Sequence, residues 1–356
     1  MRLATVDLFC GAGGLTVGLE NVGLPVCAGI DVDPDCRYPY EKNTSADFIK
    51  ADVSNIDSDK VERLFPDGSD KVLAGCAPCQ PFSTLKNGED TEGTDEWKLL
   101  ESFERMVFDI EPEYVVMENV VGIRDTKIFT NFVHLLYSLG YEYEVEDVYC
   151  PDYGIPQKRK RTVLIASTLG DVELPEPTHS EDRYPTVREA IGKKKLPEIG
   201  AGESHEDDRL HRSRTLSKTN LERVKQSIPG GTWKDWDDEL ILDCHKKESG
   251  ETFGSVYGRM EWDEPAPTIT TQFHNYGSGR FGHPEQNRAI SLREGAILQT
   301  FPEDYSFVPE GREMEFEKVS PMIGNAVPVR LAEAVGEKII EHYQEKKNVK
   351  NERAKN

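Results

Sequence analysis

The stretch VLAGCAPCQPFSTL, running from Val72 to Leu85, sets two cysteines three positions apart, Cys76 and Cys79. Thiols at that spacing serve as a metal clip, as a redox pair, or as the frame of one nucleophile. A structural zinc site needs further Cys or His ligands at clip spacing, and Cys150 and Cys244 stand isolated. A thioredoxin-like pair opens a helix, whereas here Pro81 follows and the segment continues as the polar STLKNGEDTEGTDE. The remaining reading is a nucleophile on a loop. Pro78 and Pro81 flank Cys79 and Gln80, and each proline locks its own φ and restricts its predecessor. A loop stiffened in this way can hold a thiolate in one geometry. Cys76 is then a small packing residue at the strand's end.

Two further groups belong with this loop. Glu118 ends the next apolar run, in VVMENV, where a carboxyl could donate a proton; taken alone it also reads as a helix N-cap region. In QKRKRTVLIA, residues Gln157, Arg159 and Arg161 alternate, and the period of two points all three to one strand face. Taken alone, the arginines also read as a solvated strand end.

The elements that must position these groups follow from the hydrophobic pattern. ATVDLF, VCAGIDV, KVLAGC, EYVVMEN, YEYEVEDVYC and RTVLIAS read as strands, with GGLTVGLENVG, a helix opened by Pro34, EWKLLESFERMVFDI and FTNFVHLLYSLG as helices between them. Buried strands separated by helices of this length predict a doubly wound, mostly parallel α/β sheet. In such a sheet ligands bind outside the carboxyl ends of the strands. DLFCGAGG lies there, but after Gly11 and Gly13 the third site of the dinucleotide fingerprint is Thr16, so that pattern fails. Asp31 and Asp52 end successive strands. Each alone reads as a turn residue; together they favour an adenosine ligand without a pyrophosphate. Regular alternation stops after about Ser167, and prolines and charges dominate from Leu174 to about Pro267. This predicts a second, irregular domain. NLERVKQSI is an isolated helix within it, and SLREGAILQTF and VPVRLAEAVGEKIIEHY restore helical order.

Composition bounds the function. The chain has 356 residues, 37% of them hydrophobic, and a formal net charge of -22. A nucleic-acid partner must therefore meet a locally basic face on an acidic body. Such acidity also suits high salt, which screens the repulsion. The 7 cysteines are scattered and odd in number, which is no disulfide framework. Neither a membrane span nor a signal peptide is legible, so a cytoplasmic protein is expected.

In order along the chain stand DLFCGAGG, GIDVDPD, ADV, GCAPCQPFS, MENV, QKRKR, SLREGAILQTFP and IGNAVP. By these motifs the sequence resembles the cytosine-5 DNA methyltransferases over nearly its whole length. The resemblance implies a methyltransferase sheet that binds S-adenosylmethionine, with no metal. It implies a catalytic and cofactor domain over residues 1–175, completed by a C-terminal helix at 320–345 that folds back beside the first motif. A smaller target-recognition domain would span 176–319 and include the SLREGAILQTFP helix, with a solvated tail at 346–356. Cys79 would attack carbon 6 of cytosine while Glu118 contacts ring nitrogen 3. Arg159 and Arg161 would hold the base's carbonyl oxygen, orient Glu118 and contact the target phosphate, for which forked donors are suited.

The same resemblance assigns Asp7, Phe9, Gly11, Gly13, Gly14, Leu15, Asp31, Val32, Asp52, Val53, Pro78 and Asn325 to the cofactor. Within that set, Asp31 takes the ribose and Asp52 the adenine amine. It assigns Gln80, Ser83, Lys86, Gln157, Thr268 and Ile269 to the DNA. The loop STLKNGEDTEGTDEW would close over a base flipped out of the duplex. RLHRSRTLSKTNLERVK is locally basic and suits phosphate contacts, and PGGTW and FHNYGSGRFGH read as loops able to enter a groove. The implied partner is double-stranded DNA, met by a monomer that associates with the nucleoid when acting. A cognate restriction endonuclease fits the same picture. Methylation of cytosine in transfer RNA uses the same motif set, but the long recognition segment favours DNA. An inactive DNA-binding regulator is disfavoured by the intact Cys79, Glu118, Arg159 and Arg161.

Overall fold

Short runs of apolar residues form strands buried on both faces because helices cover each side of the sheet they join. The computed structural model describes residues 2–77, 95–192, 196–247 and 254–355. β1 (Leu3–Leu8) and β5 (Tyr114–Asn119) are buried at every position, and β4 (Asp70–Gly75) is buried from Val72 onward. β2 (Val26–Asp31), β3 (Asp47–Lys50), β6 (Glu142–Tyr149) and β8 (Lys160–Ser167) complete a seven-stranded sheet in the order β3-β2-β1-β4-β5-β8-β6. The pairs from β3 through β5 are parallel, and β8 runs antiparallel to both β5 and β6. The sheet is therefore mostly parallel, as expected. Reversal of one strand has a consequence: the first residues of β8 reach the edge where β1 to β5 end.

Helices α1 (Gly14–Asn21), α2 (Arg37–Asn43), α3 (Ser58–Glu62), α4 (Asp95–Ile110) and α5 (Lys127–Ser138) connect these strands. α2 follows a short 3-10 turn at Pro34–Cys36, where Asp33 caps the amide of Asp35. α5 stops before Gly140, whose φ of +81° suits a residue without a side chain. The last helix, α10 (Val329–Lys355), packs on α1. Gly18 permits this: a Cβ there would stand 2.4 Å from Val329 O and 2.5 Å from Ala332 Cβ. Asn21 Nδ2 donates to Glu333 Oε1 at 2.7 Å across the same contact. No helix among the described residues is long and apolar enough to cross a membrane.

The chain divides into two compact units: Met1–Tyr149, Lys160–Pro177 and Val327–Asn356 form one, and Cys150–Arg159 with Thr178–Ala326 the other. Residues 150–159, read as part of the catalytic domain, cluster with the second unit, as do 320–326, and 176–177 cluster with the first. The tail expected at 346–356 continues α10 as far as Lys355.

The second unit holds α6 (Val187–Ile191), α7 (Lys218–Gln226), α8 (Leu292–Leu298), α9 (Phe316–Gly324) and the two-residue pair β7 (Gln157–Lys158) with β9 (Ala266–Pro267). Its irregular backbone leaves carbonyls that no ladder satisfies, and buried arginines take them up. Arg259 donates to the carbonyls of Val224, Ser227, His283 and Gln286. Arg288 makes a forked, fully buried pair with Glu294 at 2.6 and 2.7 Å, and Glu294 also caps α8 through the amide of Ser291.

Candidate active site

The site grows from strand ends. Gly75 of β4 pairs with Met117 of β5, which sets Cys76 level with Glu118. The Cys76 thiol donates to Glu118 Oε2 at 2.9 Å. Glu118 is buried, and Arg161, two residues into the reversed strand β8, brings its Nε to 3.1 Å from Oε1 as an ion-pair contact. That contact does not meet hydrogen-bond geometry at Oε1. Arg161 Nη1 donates to Lys160 O, at 2.7 Å. The carboxyl is thus gripped from two sides. Beside it, Asn119 Nδ2 donates to Ala77 O at 3.1 Å and its Oδ1 accepts the amide of Val120, which pins the backbone immediately before Pro78. Pro78, Cys79, Gln80, Ser83 and Lys86 lie outside the described residues.

The same edge carries the glycine turn. Phe9 adopts φ +59°, a left-handed conformation unusual for an aromatic residue, and Gly11 and Gly13 follow at +53° and +93°. A Cβ on Gly11 would meet nothing within 4 Å, so the space over the turn is open. Asp31 Oδ2 accepts the Gly11 amide and Oδ1 the Asp33 amide, each at 2.9 Å. Burial raises the Asp31 carboxyl above its ordinary range, and these amides oppose the shift. Val32, next in line, leaves 62% of its surface exposed, an apolar platform beside a half-buried acid. Asp52 accepts the amide and hydroxyl of Ser54 and the side chain of Asn55; the Ser54 contacts lead in holding its carboxyl low. Leu15 and Val53 are buried; Val53 packs into the core of the first unit.

The comparisons with known proteins agree with this geometry. The profile of the C-5 cytosine-specific DNA methylase family matches residues 3–341. The chain is 51% identical over 339 residues to the type II methylase M.HgiDII of Herpetosiphon aurantiacus, covering 94% of each sequence. It is 30% identical to the type II methyltransferase M1.HphI of Haemophilus parahaemolyticus, covering 96% of this chain and 87% of that one. The chain belongs to the C-5 cytosine-specific DNA methylase family. It is accordingly an enzyme that methylates DNA cytosine at carbon 5. Among solved structures, a putative DNA modification methyltransferase encoded within an E. coli prophage shares the fold. Its TM-score is 0.71 at 21% identity, covering 95% of this chain and 99% of that one.

In this methylase the alternation read from QKRKR does not survive folding. The amide of Arg159 donates to Gln157 O at 2.7 Å, closing a three-residue turn that breaks the strand. Arg161 therefore belongs to the large sheet, while Gln157 and Arg159 are buried in the second unit. Arg159 donates to the carbonyls of Ile269, Gly324 and Ala326. Gln157 Oε1 accepts the Ile269 amide, and its Nε2 donates to Gln299 Oε1, whose own Nε2 donates to Ile323 O. Thr268 Oγ1 donates to Lys158 O, and Ile269 is fully buried. Four separate motifs thus meet in one buried polar knot that holds the backbone on both sides of Asn325. Arg159 and Gln157 tie these motifs together within the second unit.

In the loops read as able to enter a groove, the aromatics are turned inward. Trp233, Phe273, His274, Tyr276 and Phe281 are buried, so the aromatics of PGGTW and FHNYGSGRFGH serve packing. In the basic stretch, Arg212 and Arg214 lie over the Phe316 ring and Arg223 over Trp236 and Tyr257. Sequence reasoning missed the contacts of Asn119 and Cys76. The signal for both was adjacency: each sits at a strand end beside a residue already singled out.

Asp7 carries an electrostatic consequence. Its Oδ2 accepts the Thr16 hydroxyl at 2.7 Å, which also contacts Tyr40, while the buried Oδ1 has no hydrogen-bond partner among the described residues. Burial pushes the carboxyl from 3.8 up to about 7. Below the unfolded pKa the group is protonated in both states and costs nothing. As pH rises from about 4 to about 7 the unfolded chain ionises first, so the folded methylase loses stability. The full loss is on the order of 4 kcal/mol. An Asp7→Asn variant keeps an acceptor for Thr16 and lacks this dependence. Unfolding midpoints measured from pH 4 to pH 8 will show the variant gaining on the wild type as pH rises; a constant difference would refute the assignment.

Proposed function

We propose that the enzyme transfers a methyl group from S-adenosylmethionine to carbon 5 of a cytosine flipped out of a specific duplex DNA site, through a covalent adduct at Cys79. One observation carries this reading: buried Glu118 in the grip of Arg161 stands on the same strand edge as the open glycine turn and Asp31. The open space over Gly11, the exposed Val32 and the Asp31 carboxylate fit a nucleoside whose ribose hydroxyls and base need those surfaces. Phe9, Gly13, Gly14 and Asp52 would complete the holding set with Pro78 and Asn325. S-adenosylmethionine supplies the electrophilic methyl group that carbon 5 accepts.

The protein's own groups do the rest. Carbon 5 of cytosine is a weak nucleophile, so a covalent step must activate it. Cys79 as thiolate adds to carbon 6, and the displaced ring electrons build charge toward carbon 5 and nitrogen 3. The Glu118 carboxyl donates a proton to nitrogen 3 and so neutralises that charge, taking the proton back when the adduct collapses, and Arg161 holds the carboxyl in place. After transfer a base removes the proton on carbon 5, the carbon–sulfur bond breaks, and Cys79 leaves as thiolate.

The second unit reads the DNA in this proposal, presenting Thr268 from a backbone fixed by Arg159 and Gln157. The type II relatives support a restriction endonuclease of the same specificity as partner. The enzyme then works as a monomer in the cytoplasm, on the nucleoid. Incubation with labelled S-adenosylmethionine on duplex DNA and on transfer RNA tests the reading. Label on cytosine of duplex DNA is the expected result, with bisulfite sequencing giving the site. Label on RNA alone would overturn it.

A further inference from the structure

The Cys76 thiol occupies a position where the proposed mechanism uses no sulfur, yet it donates to the one carboxyl that the mechanism needs. We infer that Cys76 is a positioning residue for Glu118. This rests on the proposed role of Glu118 and deepens it.

A carboxyl at the end of a strand can rotate about its last side-chain bonds, and each rotation aims its oxygens differently. Here Oε1 faces Arg161 Nε at 3.1 Å and Oε2 accepts the Cys76 thiol at 2.9 Å. Two partners on two oxygens define the plane of the group, which one partner cannot do. The parallel register supplies the second partner, because Gly75 and Met117 pair and the next residues, Cys76 and Glu118, leave the sheet together. Gly75 itself keeps the strand close: a Cβ there would stand 2.9 Å from Leu8 O. The S–H group is a weak donor. Its contact fixes the direction of the carboxyl rather than adding much binding strength, and a serine hydroxyl in the same place can fix that direction as well.

Cys76→Ala removes the donor and Cys76→Ser keeps one, so the pair separates orientation from packing. Single-turnover methyl transfer on duplex DNA will fall roughly tenfold in Cys76→Ala, with KM for DNA unchanged. Cys76→Ser will stay within about threefold of the wild type. In a Glu118→Gln background the Cys76→Ala change will cause no additional loss, because the two residues act through one group. Equal losses in the alanine and serine variants, full activity in the alanine variant, or additive losses with Glu118→Gln would each overturn the inference. A wild-type enzyme that labels no DNA would instead overturn the functional reading on which it rests.

Discussion

A Cys79→Ser variant will lose methyl transfer by at least ~10⁴-fold while still binding duplex DNA. The reason is chemical. A serine hydroxyl at neutral pH is almost wholly protonated, and its oxygen is a poorer nucleophile toward carbon 6 than a thiolate. The proline frame around residue 79 is untouched by the substitution, so binding and folding should survive. DNA carrying 5-fluorocytosine at the target provides a second readout. Fluorine on carbon 5 cannot leave as a proton does, so the adduct cannot resolve. The wild type will give a protein–DNA complex that resists denaturant, and the variant none. A Cys79→Ser enzyme with wild-type rates, or a trapped complex in its absence, would remove Cys79 from the mechanism.

Glu118→Gln is expected to lower single-turnover methyl transfer by ~10²–10³-fold. Glutamine matches the size of the side chain but cannot carry the charge or the acidic proton that the ring nitrogen requires. Its effect on folding will be smaller, because Arg161 keeps 15% of its side chain exposed and can still reach water. Glu118→Asp separates chemistry from geometry further. It retains the carboxyl but shortens the reach by a methylene, pulling the group away from Cys76 and Arg161. A displacement near 1 Å is worth about 10²-fold in such sites, so aspartate should rescue little. Near-complete rescue by aspartate would mean that the grip from Cys76 and Arg161 does not matter.

Local pattern carried much of the fold. The apolar runs at β1, β4 and β5, the helices α4, α5 and α10, and the loss of regularity after Ser167 all follow from composition and periodicity. Position on the carboxyl edge was readable too, since Asp31 and Glu118 end apolar runs. Three things were not. The short helices α3, α6 and α9 lack enough turns to show a period, and α9 carries an interior proline, Pro321. The continuation of α10 beyond residue 345 was hidden by a run of charges that a solvated helix face also displays. The alternation in QKRKR looked like one strand because a three-residue turn leaves no mark on a polar sequence.

By itself the sequence determined the kinds of groups available and their order: a cysteine between prolines, a carboxyl closing a strand, an arginine opening another, glycines before a helix. Those are local properties, set by residue type and spacing. The tertiary structure alone decided which groups meet. Reversal of β8 brings Arg161 to Glu118, strand register brings Cys76 to the same carboxyl, and the turn at Arg159 sends that residue to the knot around Ile269 and Gly324. Each pairing joins residues far apart in the chain. Their partners are chosen by sheet order and by the need of buried polar groups for hydrogen bonds, and neither is written in any single stretch of sequence.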